Sequence, residues 1–304
     1  DLSLPLRNNA TMMVKAPGST FKPITAIAAL EEGVIQLGEM INCTGIYEEI
    51  DTPLRCWIYP GSHGLLDIIG GIGNSCNYVM AELAHRMSID ENGNYSASKG
   101  LDTLKKYATM FGLDHTSGVE IDEASPHISD TDPERSSIGQ GSHTFTNTQL
   151  ARYVTALANR GTVYELSLLD KLTDSEGNLI EDYSPTVSSA IDIQDSTWNA
   201  VHAGMRQVIA EGSAKNIFAD LPVEIAGKTG TAEETGRTNH AFFMSFAPYA
   251  SPEIAVTVNI PYGYSSGNAA TLAKNIYKYY YGYTTLDEIM GVGALDATTV
   301  EIQD

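Results

Sequence analysis

Two short strings set the terms on which this chain can fold. Ser19-Thr20-Phe21-Lys22 opens an apolar, Ala-rich run at 24–30 that ends at Glu31-Glu32-Gly33. Ala16-Pro17-Gly18 is a turn signal before it, so Ser19 is placed at a helix start. Pro23 falls in the first turn, where backbone donors lack partners anyway. Much later, residues 223–228 read as a strand leading into Lys228-Thr229-Gly230-Thr231. A serine and a lysine three apart share one helix face. That lysine can take the serine proton only when neutral, and a second cation such as Lys228 favours the neutral state. The two strings make chemical sense together in a fold that lays a helix start against a strand.

Ser75-Cys76-Asn77 lies between them. In an extended segment the first and third residues point one way and the middle one the other. Asn77 suits a substrate amide, and Ser75 suits relaying a proton to a leaving amine. Singly, each string has a plainer reading. Ser19 is a helix cap, Asn77 caps the helix begun by Tyr78-Val79-Met80-Ala81, and Lys228 is incidental to a strand end. Ser96-Ala97-Ser98-Lys99 and Ser266-Gly267-Asn268 repeat two of the patterns. The first follows a loop, Asn92-Gly93-Asn94, and the second comes after the lysine-threonine-glycine string, out of order.

The 304 residues, 42% of them hydrophobic, suffice for one large domain or two modest ones. A net charge of −20, from 38 acidic and 18 basic residues, argues against nucleic acid and anionic lipid as partners. No apolar stretch approaches the ~20 residues of a membrane span. Nothing at Asp1 reads as a signal peptide. Gly71-Ile72-Gly73 fails as a dinucleotide fingerprint, since Cys76 stands where the third glycine belongs. Residues 1–18 read as an extended lead-in and 112–146 as an ordered loop walling a cleft. Helices are predicted at 19–33, 77–87, 100–111, 148–159 and 196–211. A hairpin follows from 163–172 and 179–183 around Asp174-Ser175-Glu176-Gly177-Asn178. Strands at 223–228, 241–248 and 253–260 precede a closing helix at 268–281. This segregation implies an α+β fold, an antiparallel sheet flanked by helices.

On residues 16–23, 75–77, 138–141 (Ile-Gly-Gln-Gly) and 226–233, the chain resembles the transpeptidase domains of class B penicillin-binding proteins, over nearly its whole length. The resemblance implies a serine β-lactamase/D,D-transpeptidase-like fold and cross-linking of peptidoglycan stem peptides. Ser19 would be the nucleophile that β-lactams acylate, and Lys22, Ser75, Asn77 and Lys228 its catalytic companions. Thr229, Gly230 and Thr231 would bind the substrate, and the backbone amides of Ser19 and Thr231 would form the oxyanion hole. It implies no organic cofactor, a cell-wall glycosyltransferase partner, and the extracytoplasmic face of the bacterial cell membrane. Relatives carry an anchor, a pedestal domain and a strand pair before the serine helix. Only 18 residues precede Ser19. Residues 1–304 are therefore expected to be one transpeptidase domain, a fragment of a longer membrane-anchored protein, lacking that strand pair. A penicillin-sensing receptor domain and a serine β-lactamase share the three strings. The first would acylate without turnover, and the second would need a deacylating glutamate, for which no ExxLN-type string is present.

Cys43, Cys56, His63 and Cys76 include every cysteine of the chain. Cys3His is a closed zinc set, although the wide spacing is not that of a compact finger. If Ser75 and Asn77 face the cleft, Cys76 points behind it. Some elongation-type relatives resemble this arrangement and bind structural zinc there, and this region looks most like that branch. A Cys43–Cys56 disulfide and three buried thiols are the rival readings, and an odd count forbids full pairing.

Overall fold

The Ala-rich run after Ser19 becomes helix α1, Lys22–Glu31. Ile24, Ala26, Ile27, Ala28 and Ala29 are wholly buried, and the small side chains let neighbouring helices approach closely. Those neighbours are α2 (Asn77–Met87), α3 (Ala97–Met110) and, past α4 (Asn147–Ala158), α5 (Asp195–Ala210). The computed structural model describes residues 6–232 and 238–291.

Beside the helices lies an antiparallel sheet of β1 (Ala226–Ala232), β2 (His240–Ala247) and β3 (Ile254–Ile260), in the order β3-β2-β1. Met244 sits opposite Lys228, and Ser245 opposite Val256. β2 is buried along its whole length, which is why it reads as a nearly continuous apolar run. Phe242, Met244 and Phe246 enter the helical core, where the His202 ring of α5 lies 5.0 Å from that of Phe246. Ala241, Phe243 and Ala247 face the closing helix α6, Ser266–Tyr280. There the Tyr277 hydroxyl lies 2.8 Å from Ser245 Oγ.

Several expectations shift. The first strand runs three residues later than anticipated, so Lys228 to Thr231 lie inside it and not at its end. The lead-in holds a short helix, Asn9–Met12, capped by Asn8. Residues 163–172 do not form one strand. Thr162–Glu165 pairs with Thr186–Ala190, and only Lys171–Thr173 pairs with Leu179–Asp182 across the Asp174 turn. The break has a local cause: the Glu120 carboxylate accepts from the Ser167 hydroxyl and the Leu168 amide, drawing the chain out of the ladder. Among the described residues no strand pairs with the outer edge of β3. Likewise, no helix there is long and apolar enough to cross a membrane.

Candidate active site and metal centre

Ser19 belongs to a single 3-10 turn, Gly18–Phe21, that runs straight into α1. It is not a capping residue; Pro17 holds that position and makes no side-chain cap. Gly18 has φ +55°, and a β-carbon there would collide with the Thr231 carbonyl oxygen. On the other side Gly18 N donates to Gly139 O at 3.0 Å, and a β-carbon on Gly139 would strike the Gly18 carbonyl. The turn is thus gripped between β1 and the Ile138-Gly139-Gln140-Gly141 loop, with the Ser19 backbone beside Thr231. Both glycines are needed for that approach.

Beneath this turn two lysines converge on one hydroxyl. Lys22 is wholly buried; its Nζ donates to Ser75 O (2.6 Å), Ser75 Oγ (3.1 Å) and Asn77 Oδ1 (2.7 Å). Lys228, equally buried, donates to Ser75 Oγ (2.8 Å) and Thr229 O (3.0 Å). Ser75 sits in the left-handed region at φ +52°, and its carbonyl and hydroxyl both reach Lys22. Asn77 opens α2 and donates through Nδ2 to Arg55 O at 3.1 Å. Burial lowers the Lys22 pKa to about 8, against an opposing pull from Cys76 and Cys56. Burial, and then the Lys22 cation, push Lys228 well below its ordinary value. Two amines sharing one acceptor in a dry site do not both hold a full charge at neutral pH. The Ser19 hydroxyl has no hydrogen-bond partner among the described residues. Lys22 rests on Ser75 and Asn77.

Thr229 is nearly covered, and its Oγ1 lies 3.2 Å from Ser213 Oγ. Gly230 and Thr231 continue the strand toward Ala232; Glu233 lies outside the described residues. Of the two repeat patterns, Lys99 donates to Ile89 O at the surface, and Ser266 to Asn268 begin α6 on the far side of the sheet. Neither approaches the lysine pair.

Cys76 does point behind the Ser75–Asn77 loop. Its Sγ lies 3.8 Å from Cys56 Sγ, and His63 Nδ1 lies 3.5 Å from Cys56 Sγ and 3.6 Å from Cys43 Sγ. All four ligand atoms fall within 4.8 Å of one another. A zinc tetrahedron with bonds of about 2.3 Å to sulfur and about 2.0 Å to nitrogen would place its ligands about 3.5 to 3.8 Å apart, so the donor set fits that ion. The three cysteines are free thiols, which removes the Cys43–Cys56 disulfide reading. His63 would bind through Nδ1, and its Nε2 is buried without a partner among the described residues. Trp57 Nε1 donates to Asn74 O at 3.0 Å, binding this segment to the loop bearing Ser75. Sequence reasoning missed Trp57, the Arg55 carbonyl and Ser213. None has a motif spacing, and the only signal near Ser213 is Gly212 after a helix end.

The family model described as penicillin binding protein transpeptidase domain matches residues 1–278, and the chain belongs to that family. Peptidoglycan D,D-transpeptidase MrdA of Haemophilus influenzae is 31% identical over 317 residues, covering 92% of this chain and 46% of the relative. Stage V sporulation protein D of Bacillus subtilis is 29% identical, over 86% of this chain and 40% of the relative. The crystal structure of Pseudomonas aeruginosa PBP2 in complex with WCK 5153 superposes with a TM-score of 0.77 at 28% identity, covering 92% of this chain and 64% of that one. A structure titled as the structural coordination of polymerization and crosslinking by a peptidoglycan synthase complex gives 0.80 at 25% identity, over 94% of this chain and 49% of that one. The chain spans about half the length of the curated relatives it matches.

Proposed function

We propose that this chain is the acyl-transfer domain of an elongation-type peptidoglycan D,D-transpeptidase and a target of β-lactams. The observation that carries the reading is the pair of buried lysine amines meeting at Ser75 Oγ beneath the Ser19 turn. Ser19 Oγ attacks the carbonyl of the penultimate D-Ala of a stem peptide, and neutral Lys22 takes its proton. The Ser19 and Thr231 amides, brought together by the Gly18 contact, receive the oxyanion. The tetrahedral species collapses by breaking the C–N bond. The departing D-Ala amine takes a proton through Ser75, replenished from the lysine pair. An acceptor stem amine then attacks the acyl-enzyme, its proton leaves along the same route, and Ser19 is restored. Among the described residues no strand pairs with the outer edge of β1, and that edge suits an extended peptide, which adds as a further strand. Lys228, Thr229 and Thr231 meet its terminal carboxylate, and Asn77 its amide.

Cys43, Cys56, His63 and Cys76 would hold a zinc ion with no open position, a structural role that fixes the loop bearing Ser75 and Asn77. A place on the extracytoplasmic face of the cell membrane follows from the proposed substrate, and the relatives named as D,D-transpeptidases and the structure titled as a peptidoglycan synthase complex support a glycosyltransferase partner. Mass spectrometry after penicillin treatment tests the core of the reading. One adduct is expected, on the peptide containing Ser19, and none in Ser19→Ala. Labelling retained in that variant overturns it. Rapid release of hydrolysed drug would instead mean a β-lactamase, and acylation with no turnover of a stem-peptide substrate a sensor.

A further inference from the structure

Thr229 does not hold its hydroxyl alone. Ser213 Oγ lies 3.2 Å from Thr229 Oγ1, and no motif links the two residues. Thr229 is 7% exposed, whereas Ser213 stands open to solvent at the turn that ends α5. That turn is fixed from behind. Gly212 N donates to Gln207 O at 2.8 Å, Ala214 N to Val208 O at 3.2 Å, and Ala214 is wholly buried. A β-carbon on Gly212 would lie 2.7 Å from the Gly73 carbonyl oxygen, two residues before Ser75. One rigid turn therefore touches both walls of the cleft, the loop bearing Ser75 and the strand bearing Thr229.

From this geometry we infer that Ser213 is a positioning residue for carboxylate recognition. Resting on the acyl-transfer reading above, this extends the carboxylate end of the site beyond Lys228, Thr229 and Thr231. A threonine hydroxyl has one proton and two acceptor lone pairs. When Ser213 donates to Thr229 Oγ1, the Thr229 proton is left for the ligand carboxylate, and a chain of two hydroxyls ending on an anion strengthens both bonds. Ser213 thus selects ligands whose group at this end is ionised.

The test compares acylation rate constants for a penicillin and for its methyl ester, with the chain and with Ser213→Ala, Ser213→Thr and Thr229→Ala. Ser213→Ala should slow acylation by the free acid up to about tenfold and by the ester less than about twofold, the scale of one net hydrogen bond. Ser213→Thr should recover the acid rate. Adding Ser213→Ala to Thr229→Ala should cost nothing more, because the serine acts through the threonine. Equal losses for acid and ester, additive losses in the double variant, or no loss at all overturn the inference. Failure of the unaltered chain to be acylated by either compound overturns the acyl-transfer reading itself.

Discussion

The lysine pair is the residue-scale device. Burial disfavours the charged amine, so on the acyl-transfer reading Lys22 would supply the base that a serine nucleophile lacks. With Lys22 near 8, about a tenth of it is neutral at pH 7 and most of it at pH 9. Acylation of Ser19 should therefore rise with pH, pass half its maximum near 8 and level off above about 9, a profile read directly with a fluorescent penicillin. Lys22→Ala should slow acylation by ~10² or more. Lys228→Arg should keep more activity than Lys22→Arg, since a guanidinium preserves charge and cannot act as a base. The reverse order would reassign the two roles. The same burial acts on stability. A lysine whose folded-state pKa is depressed disfavours the fold as pH falls from about 10.5 to about 8, and the loss is complete below that window.

At the scale of elements, the site was legible wherever chemistry fixes a spacing. Ser19 with Lys22, Ser75 with Asn77 and Lys228 before Gly230 are short-range patterns, and the structure brings them to one place. The α+β layering was legible because the apolar period changes from helical to extended along the chain. The extent of β1 was not, because Gly227 and Gly230 dilute the strand signal while pairing with β2 holds them extended. The break at Ser167 depends on Glu120, distant in sequence, and Ser213 depends on where α5 ends against β1. Neither leaves a local mark. The cluster of Cys43, Cys56, His63 and Cys76 lies between these cases: its residue types were visible, its closure only in three dimensions. Protein purified without added metal should carry about one zinc per chain, and Cys76→Ser should lose it. That variant should melt at lower temperature and acylate more slowly with Ser19 untouched, because the segment tied by Trp57 loosens behind Ser75. Less than about 0.2 zinc per chain would leave the cluster as buried thiols.

For the whole molecule the open question is the sheet's outer rim. β2 is covered on both faces and paired on both sides, but β3 is half-buried and, among the described residues, pairs with β2 alone. An extended edge with free amides and carbonyls invites another strand, and no proline interrupts Ile254–Ile260. Helices α4 and α6 pack on this strand, and among the described residues Asn147 of α4 donates through Nδ2 to the Thr257 carbonyl while its own carbonyl accepts weakly from the Thr257 hydroxyl, which leaves the rest of the edge backbone open to a partner strand. The expectation is that this chain, studied alone, self-associates through β3 or takes up a second polypeptide segment there. Sedimentation velocity over a concentration series should show a rising sedimentation coefficient, and hydrogen exchange should show protection gained at 254–260 in the associated form. A chain that stays monomeric at every concentration, with those amides already protected, would mean that its own residues cover the edge, and the association would be ruled out.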